Sequence, residues 1–368
     1  MILFKGLCSQ LLNPLQAVVG VVEKRHTMAI LANVLFEKKG DRITLLATDN
    51  DIQITTHAPS EGGEDFAITV AAKKLHDVLR SLPEMTEIKL TLNDARLQVK
   101  SKHSSFNLQT LPAADFPTMS VTIGQGTQLT LPQRQVKHML SQVQYAMAQQ
   151  DLRYYLNGLL MVAKGNSLRM VATDGHRLAY VGGALPVELP TPIEAIIPRK
   201  TVLELSRQLG DSDDPLTITL SKTQARFEFG SVELISKLIE GKYPDYERVI
   251  PKNLDKVITL SRDGLAHALQ RAAIMTAEKF RSVRFVIDAG LLKIYSSNTE
   301  HEEAQEEIEI EYNDMAIDVG FNIAYLQEVL NNLTSKDIEL HFADSNSSAL
   351  ILIPGSSDFK YVVMPMRI

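Results

Sequence analysis

LLATDNDIQIT at 45–55 returns as RMVATDGHRLAYV at 169–181, with the two Ala-Thr-Asp triplets starting 125 residues apart, at Ala47 and Ala172. A fainter third copy, KIYSSNTE at 293–300, places Ser297 and Asn298 a further 124 residues along. A chain that repeats at this period is a tandem array of similar folding units, and the repeat sets the architecture before any motif is read.

Three further signatures keep the same period. HDVLRSL (76–82), LELSRQL (203–209) and QEVLNNL (327–333) share an acid, a following aliphatic residue and a final Leu; the acids are Asp77, Glu204 and Glu328. Each follows a strand-like run and reads as a helix. The hairpins IKLTLNDARLQVK (88–100), LTITLSKTQARFEF (216–229) and IELHFADSNSSALILI (338–353) alternate apolar and polar residues around a polar turn. Amphipathic helices open the units at 9–22, 132–147 and 261–275. Pro132 suits a first helical turn. The Pro- and Gly-bearing stretches LPAADFPTMSVTIGQGTQ and KYPDYERVIPKN read as linkers, which gives three units at 1–123, 124–248 and 249–368. Each reads as two helices and about eight strands, an α+β class.

Composition narrows the function. The 368 residues are 45% apolar and 22% charged, as in an ordinary soluble globular chain. No apolar run approaches the ~18 residues of a membrane span, and no signal-peptide pattern is evident. A single cysteine, Cys8, excludes an internal disulfide and cysteine zinc clusters, and fits a cytoplasmic location. The net charge of −6 argues mildly against nucleic acid if it is spread evenly, but it is not. The six helix windows carry +7 together, leaving −13 for the sheets and loops. A basic helical surface suits non-specific contact with phosphates, and its Gln, Ser and Asn suit backbone contact rather than base reading. Residues 300–311 hold seven Glu and no Lys or Arg, while the first unit offers Lys73, Lys74, Arg96, Lys100, Lys102 and His103. An acidic tail edge and a basic head edge can pair head to tail between two copies. Lys74, Phe106 and Leu108 would meet Ile274, Met275, Glu302 and Glu303 there.

The segment VATDGHRLAYV (171–181) invites an enzymatic reading, a hydrolase or nuclease using Asp174 and His176 as an acid/base pair. Two residues apart on a strand, they would share a face. Against this, the first repeat keeps Ala-Thr-Asp without the His, and no GxSxG elbow occurs anywhere. A Thr-Asp-Gly turn bonding its own backbone is the plain alternative for Asp174. Asp49 and Asp51 likewise read as turn formers before a Mg²⁺ pair. Tyr154 and Tyr155 read as strand residues, one facing in and one out. No metal or cofactor is expected, and without a GxxxxGK[ST] loop the chain should not hydrolyse ATP itself.

RYYLNG (153–158), ATDGHRLA (172–179), TLPAADFP (110–117), KYPDYERVIP (242–251), EKFRSVR (278–284) and YVVMPMRI (361–368) resemble, in order and over the whole chain, the bacterial sliding clamps, the beta subunits of DNA polymerase III. The resemblance implies three tandem clamp domains in each of two chains, closed head to tail into a ring with helices inside and sheets outside. It implies double-stranded DNA as the encircled partner, the replicative DNA polymerase catalytic subunit as the tethered one, and an ATP-dependent clamp loader that opens the ring. It also implies other polymerases and repair proteins that bring short clamp-binding peptides to a pocket. Carried over by position, the pocket takes Leu156, Thr173, Gly175, His176, Arg177 and Leu178 from the second unit, then Pro244, Arg248 and Val249. Asn322, Tyr325, Asn346, Ser348, Val362, Met364, Pro365, Met366 and Arg367 complete it. Adaptable methionines suit a surface that accepts several partners. Asn346 stands where better-known members carry an apolar residue. For DNA the resemblance implies Arg25, Lys73, Gln150, Tyr154, Tyr155, Arg199 and Lys200. VVEKRHTM (21–28) departs from the family's glycine-rich loop, and Glu23 weakens the local positive field.

Overall fold

A computed structural model describes residues 1–22, 28–60, 64–120, 126–252, 254–277 and 281–367. The chain forms two compact units, Met1–Arg134 with Leu203–Leu238, and Gln135–Val202 with Ile239–Ile368. Seven α-helices are found among the described residues: α1 (Cys8–Val19), α2 (Ala72–Arg80), α3 (Gln133–Val143), α4 (Arg199–Gln208), the short α5 (Tyr246–Val249), α6 (Arg262–Ala272) and α7 (Ile323–Asn332). All strand pairs between them are antiparallel. No helix among the described residues is long and apolar enough to cross a membrane.

The first unit is one twelve-stranded sheet. It runs from Ile2–Leu7 through the strands of the first repeat to Ile52–Pro59, continues through Val232–Lys237, and ends at Thr127–Pro132. Leu234 opposite Ile54 and Glu233 opposite Thr55 fix the register where the first repeat joins the second. Lys237 adds an ion pair to Asp51 at 3.0 Å. Helices α1 and α2 pack together beside this sheet. In α2, Leu75 and Leu79 are buried four residues apart while Lys74, Asp77 and Arg80 point outward, as helical period requires. Each such leucine contributes about 1.5–3 kcal/mol by leaving water.

The second unit carries a six-stranded sheet and a four-stranded one. In the former, Arg177–Pro198 pairs with Phe359–Val363, Leu178 opposite Val362, which joins the second repeat to the third in the same way. The four-stranded sheet ends on Glu303–Glu309, whose glutamates keep that edge charged. Helix α6 buries Leu265, Ala268, Leu269 and Ala272 and is capped by Ser261, whose hydroxyl accepts the Gly264 N–H at 3.2 Å. Helix α7 packs against it and is capped by Asn322.

The expected two helices and about eight strands hold for the first and third repeats. In the second repeat, two long strands, Gly158–Thr173 and Arg177–Pro198, replace four short ones, with register shifts around Gly165. Compactness follows the sheets rather than the repeat. The strands of the second repeat at 127–132 and 215–237 lie in the first unit, and its long hairpin lies in the second. The expected boundary at 123/124 lies outside the described residues. The start of that linker is tied down, because Met119 N–H donates to Gln53 Oε1 at 2.8 Å and Gln224 Nε2 to the Ser120 carbonyl at 2.9 Å.

Candidate functional site

The Ala-Thr-Asp repeat is a turn. Thr173 ends one strand and Arg177 begins the next. Thr173 Oγ1 donates to the Arg177 carbonyl and accepts the Gly175 N–H, and Asp174 Oδ1 accepts the N–H groups of His176 and Arg177 at 2.9 and 3.1 Å. The first repeat builds the same turn atom for atom. Thr48 Oγ1 donates to the Ile52 carbonyl and accepts the Asn50 N–H, and Asp49 Oδ1 accepts from Asp51 and Ile52. The third repeat uses Asn298, which accepts the Glu300 and Glu302 N–H groups across a loop one residue longer. Position two of the turn requires positive φ, +76° at Asn50 and +90° at Gly175.

This corrects the strand placement of Asp174 and His176. They sit in a turn, and the hydrogen bonds Asp174 accepts come from backbone amides and from Arg177 Nε at 3.1 Å, not from the His176 ring. Asp49 is spent in the same way, and Asp51 is paired with Lys237. No group of three His, Cys, Asp or Glu side chains close enough to hold a metal occurs among the described residues.

Beside the turn opens a cavity of about 190 Å³. Ten carried-over residues line it: Leu156, Thr173, Gly175, His176, Arg177, Leu178, Pro244, Val249, Val362 and Met364. Its floor belongs to a core cluster of Leu156, Val171, Leu178, Tyr243 and Val362. Met364 N–H donates to the His176 carbonyl at 3.0 Å, which fastens the C-terminal segment to the turn. Arg153, Tyr155, Tyr243 and Tyr246 also line the cavity. Sequence reading placed Tyr155 with DNA and missed the other three. Tyr243 and Tyr246 lie within the quoted KYPDYERVIP, but nothing local signals that the buried Tyr243 hydroxyl accepts the Thr173 N–H at 3.1 Å.

Two arginines frame this wall. Arg177 is 7% exposed and fully engaged. Its Nε reaches Asp174, one terminal nitrogen Glu328 on α7, and the other the Tyr145 carbonyl at 2.7 Å, with the Tyr325 ring 4.3 Å away. Burial works against its charge, but Tyr361, Glu328 and Asp174 outweigh it and push the guanidinium further up. Burial likewise pushes the Tyr361 and Tyr243 hydroxyls well up, so both stay neutral donors and acceptors. Arg153 grips Asp151 through two nitrogens at 3.0 and 2.8 Å and donates to the Asp174 carbonyl at 3.0 Å. Its side-chain hydrogen bond holds the Asp151 carboxyl down at about 2. A side chain at Gly175 would meet that guanidinium, which sets this position apart from Asn50 in the first repeat.

The other carried-over pocket residues stand off the cavity. Arg248 is exposed and pairs with Asp245 at 2.9 Å, Asn322 caps α7 by accepting the Ala324 N–H, and Tyr325 lies behind Arg177. Asn346 is an exposed turn residue whose N–H donates to Asp344, and Ser348 follows it half-buried. Pro365, Met366 and Arg367 continue past Met364, with Met366 N–H bonded to the Gly320 carbonyl.

Of the residues carried over for DNA, Arg25 lies outside the described residues. Tyr154 and Tyr155 are not strand residues; they form a single 3-10 turn, with Tyr154 57% exposed and Tyr155 packed on the core cluster. Exposed Gln150 has φ +56° in the loop before them. Arg199 and Lys200 open α4, and Arg199 donates to the Met147 carbonyl at 3.2 Å. Lys73 lies on α2. Of those assigned to a contact between copies, Lys74, Ile274, Glu302 and Glu303 are exposed, and Phe106, Leu108 and Met275 half-buried.

Comparison with known proteins agrees with this organisation. Models of the N-terminal, central and C-terminal domains of the DNA polymerase III beta subunit match residues 7–120, 130–245 and 247–367. The chain is 43% identical to the beta sliding clamp of Pseudomonas putida, over 97% of this chain and 98% of that one. It superposes on the crystal structure of the Pseudomonas aeruginosa sliding clamp bound to griselimycin with a TM-score of 0.94, at 41% identity and full coverage of both chains. A Caulobacter crescentus clamp, with polyethylene glycol bound at its putative beta-motif tethering region, matches at 0.92 and 35% identity, covering 100% of this chain and 99% of that one. The chain therefore belongs to the family of bacterial sliding clamps, the beta subunits of DNA polymerase III.

Proposed function

We propose that this chain is a cytoplasmic, non-catalytic processivity factor. Two copies close around duplex DNA, and the ring tethers the replicative polymerase and other peptide-bearing replication and repair proteins. A separate ATP-dependent loader opens it. The units are assigned as 1–123, 124–248 and 249–368. The cavity beside the Thr173–Arg177 turn is assigned to partner peptides: it is apolar in its floor, ringed by His176, Arg153 and Met364, and built on a rigid turn. Basic residues at the start of α4 and on α2 are assigned to phosphates, by non-specific charge attraction.

The carrying observation for two copies is the register of the sheets. Strand 232–236 pairs with 52–56, and 359–363 pairs with 177–181, at equivalent positions of successive repeats. Their counterparts are residues 104–108 in the first repeat and 302–306 in the third. Strand Glu303–Glu309 ends its sheet, Phe106 and Leu108 are half-buried, and Glu303 and Glu307 are exposed. Continuing the same register puts Leu108 opposite Glu302 and Phe106 opposite Ala304 of a second copy. Residues 105–109 pair on one side with 96–100, and the strand on the other side takes up only 110–112. Among the described residues this stretch is left with a free edge, and free edges pair readily when a matching edge is offered.

The test is primer extension by the cognate polymerase with its loader and ATP. Products lengthen when this protein is added, and His176→Ala shortens them while two copies still associate. Product lengths unaffected by the protein would contradict the reading. Turnover of a hydrolysable substrate lost on His176→Ala would favour the enzymatic alternative instead.

A further inference from the structure

The repeated acid at Asp77, Glu204 and Glu328 is not explained by pocket, pore or edge strand. Its two later copies do one job. Glu204 on α4 is buried against the end of α1. A Cβ on Gly20 would collide with its carboxylate, and neighbouring Gln208 donates to the Ala17 carbonyl at 2.9 Å. Glu328 on α7 binds Arg177, which donates in turn to the Tyr145 carbonyl just past α3. In each case the second helix of one repeat brings an acid to the C-terminal end of the first helix of the repeat before it. An acid there opposes the helix dipole unless a cation stands beside it. Arg207 supplies it for Glu204, and Arg177 for Glu328.

The first copy has no such counterpart. The Asp77 side chain is 78% exposed, with the neighbouring His76 ring 3.7 Å from its carboxylate. Arg80 stands three residues on, as Arg207 does from Glu204, and is also exposed. One first-helix end is equally open. Past the end of α6, Ile274 occupies the position equivalent to Gly20 and Tyr145 and is 73% exposed.

We propose that Asp77 is the third copy of this inter-repeat joint, and that it docks against the C-terminal end of α6, at Ile274, of a second copy of this chain. Arg80 is the accompanying cation. The inference rests on the head-to-tail pairing proposed above, and adds Asp77 and Arg80 to the helix that brings Lys74 to that contact. The contact is made twice in a closed ring.

The experiment pairs a cross-link with a charge removal. Both positions are exposed in the single chain, so neither substitution disturbs its core. D77C/I274C, oxidised at micromolar concentration, is expected to migrate as a covalent dimer on a non-reducing gel. Asp77→Asn is expected to raise the dimer dissociation constant about 100-fold, about tenfold for each of the two charge-assisted contacts the ring loses. If the wild type is a dimer but the cysteines do not cross-link, or Asp77→Asn dissociates like the wild type, this inference is overturned and the pairing stands. A wild type that stays monomeric at micromolar concentration overturns both.

Discussion

Arg177 is the residue on which the site depends. It is buried and bound at once to Asp174, Glu328 and the Tyr145 carbonyl, so it positions the cavity wall rather than offering a free charge to a ligand. Arg177→Met would leave the nearly buried Asp174 without its cation and the Tyr145 carbonyl without its donor. We expect it to lower the unfolding free energy by about 1–3 kcal/mol, read from urea denaturation. His176 has no such burden, so His176→Ala should weaken binding of a glutamine-containing apolar peptide by anisotropy and leave the melting temperature within a few degrees. Asp151 offers a proton-based check. Its carboxyl is held at about 2 by Arg153. A depressed carboxyl favours the folded form above its ordinary range and loses that contribution only as pH falls through about 2, so the Asp151–Arg153 clamp persists through mild acid. NMR titration should find that midpoint, and Arg153→Ala should return it towards the ordinary value; an unchanged midpoint would sink the assignment.

Among elements, the turn and the helix ends show what sequence could and could not reveal. The Ala-Thr-Asp repeat was legible because side-chain-to-backbone bonds are local: Thr, Asp and a residue tolerant of positive φ suffice. The periodic helices were legible for the same reason, as Leu75 and Leu79 show. The doubled strands of the second repeat were not, since merging depends on register between distant segments around Gly165. Arg153 escaped notice because its role comes from reaching across to the Asp174 carbonyl, 21 residues away. Gly20 also looked ordinary, yet it leaves room for Glu204. Gly20→Ala should cost about 1–3 kcal/mol, because Arg207 and Gln208 hold that carboxylate in place. At the free edges, Phe106→Glu would set an acid against the glutamate-rich strand of a second copy. Native mass spectrometry should then show monomer at concentrations where the wild type is dimeric.

For the molecule as a whole, the account turns on topology rather than affinity. Its net charge is −6 while its six helix windows together carry +7, which suits a protein held on DNA by enclosure while it slides. The most direct measurement is retention on DNA whose ends are created after loading. The protein is loaded by its cognate loader and ATP onto a nicked circular plasmid, isolated by gel filtration, and the plasmid is then cut once. Release of the protein on cutting is the predicted result, because a ring runs off an end. Retention on the linear DNA, with the same salt and protein, would mean that it grips the duplex by ordinary contacts and would contradict the ring.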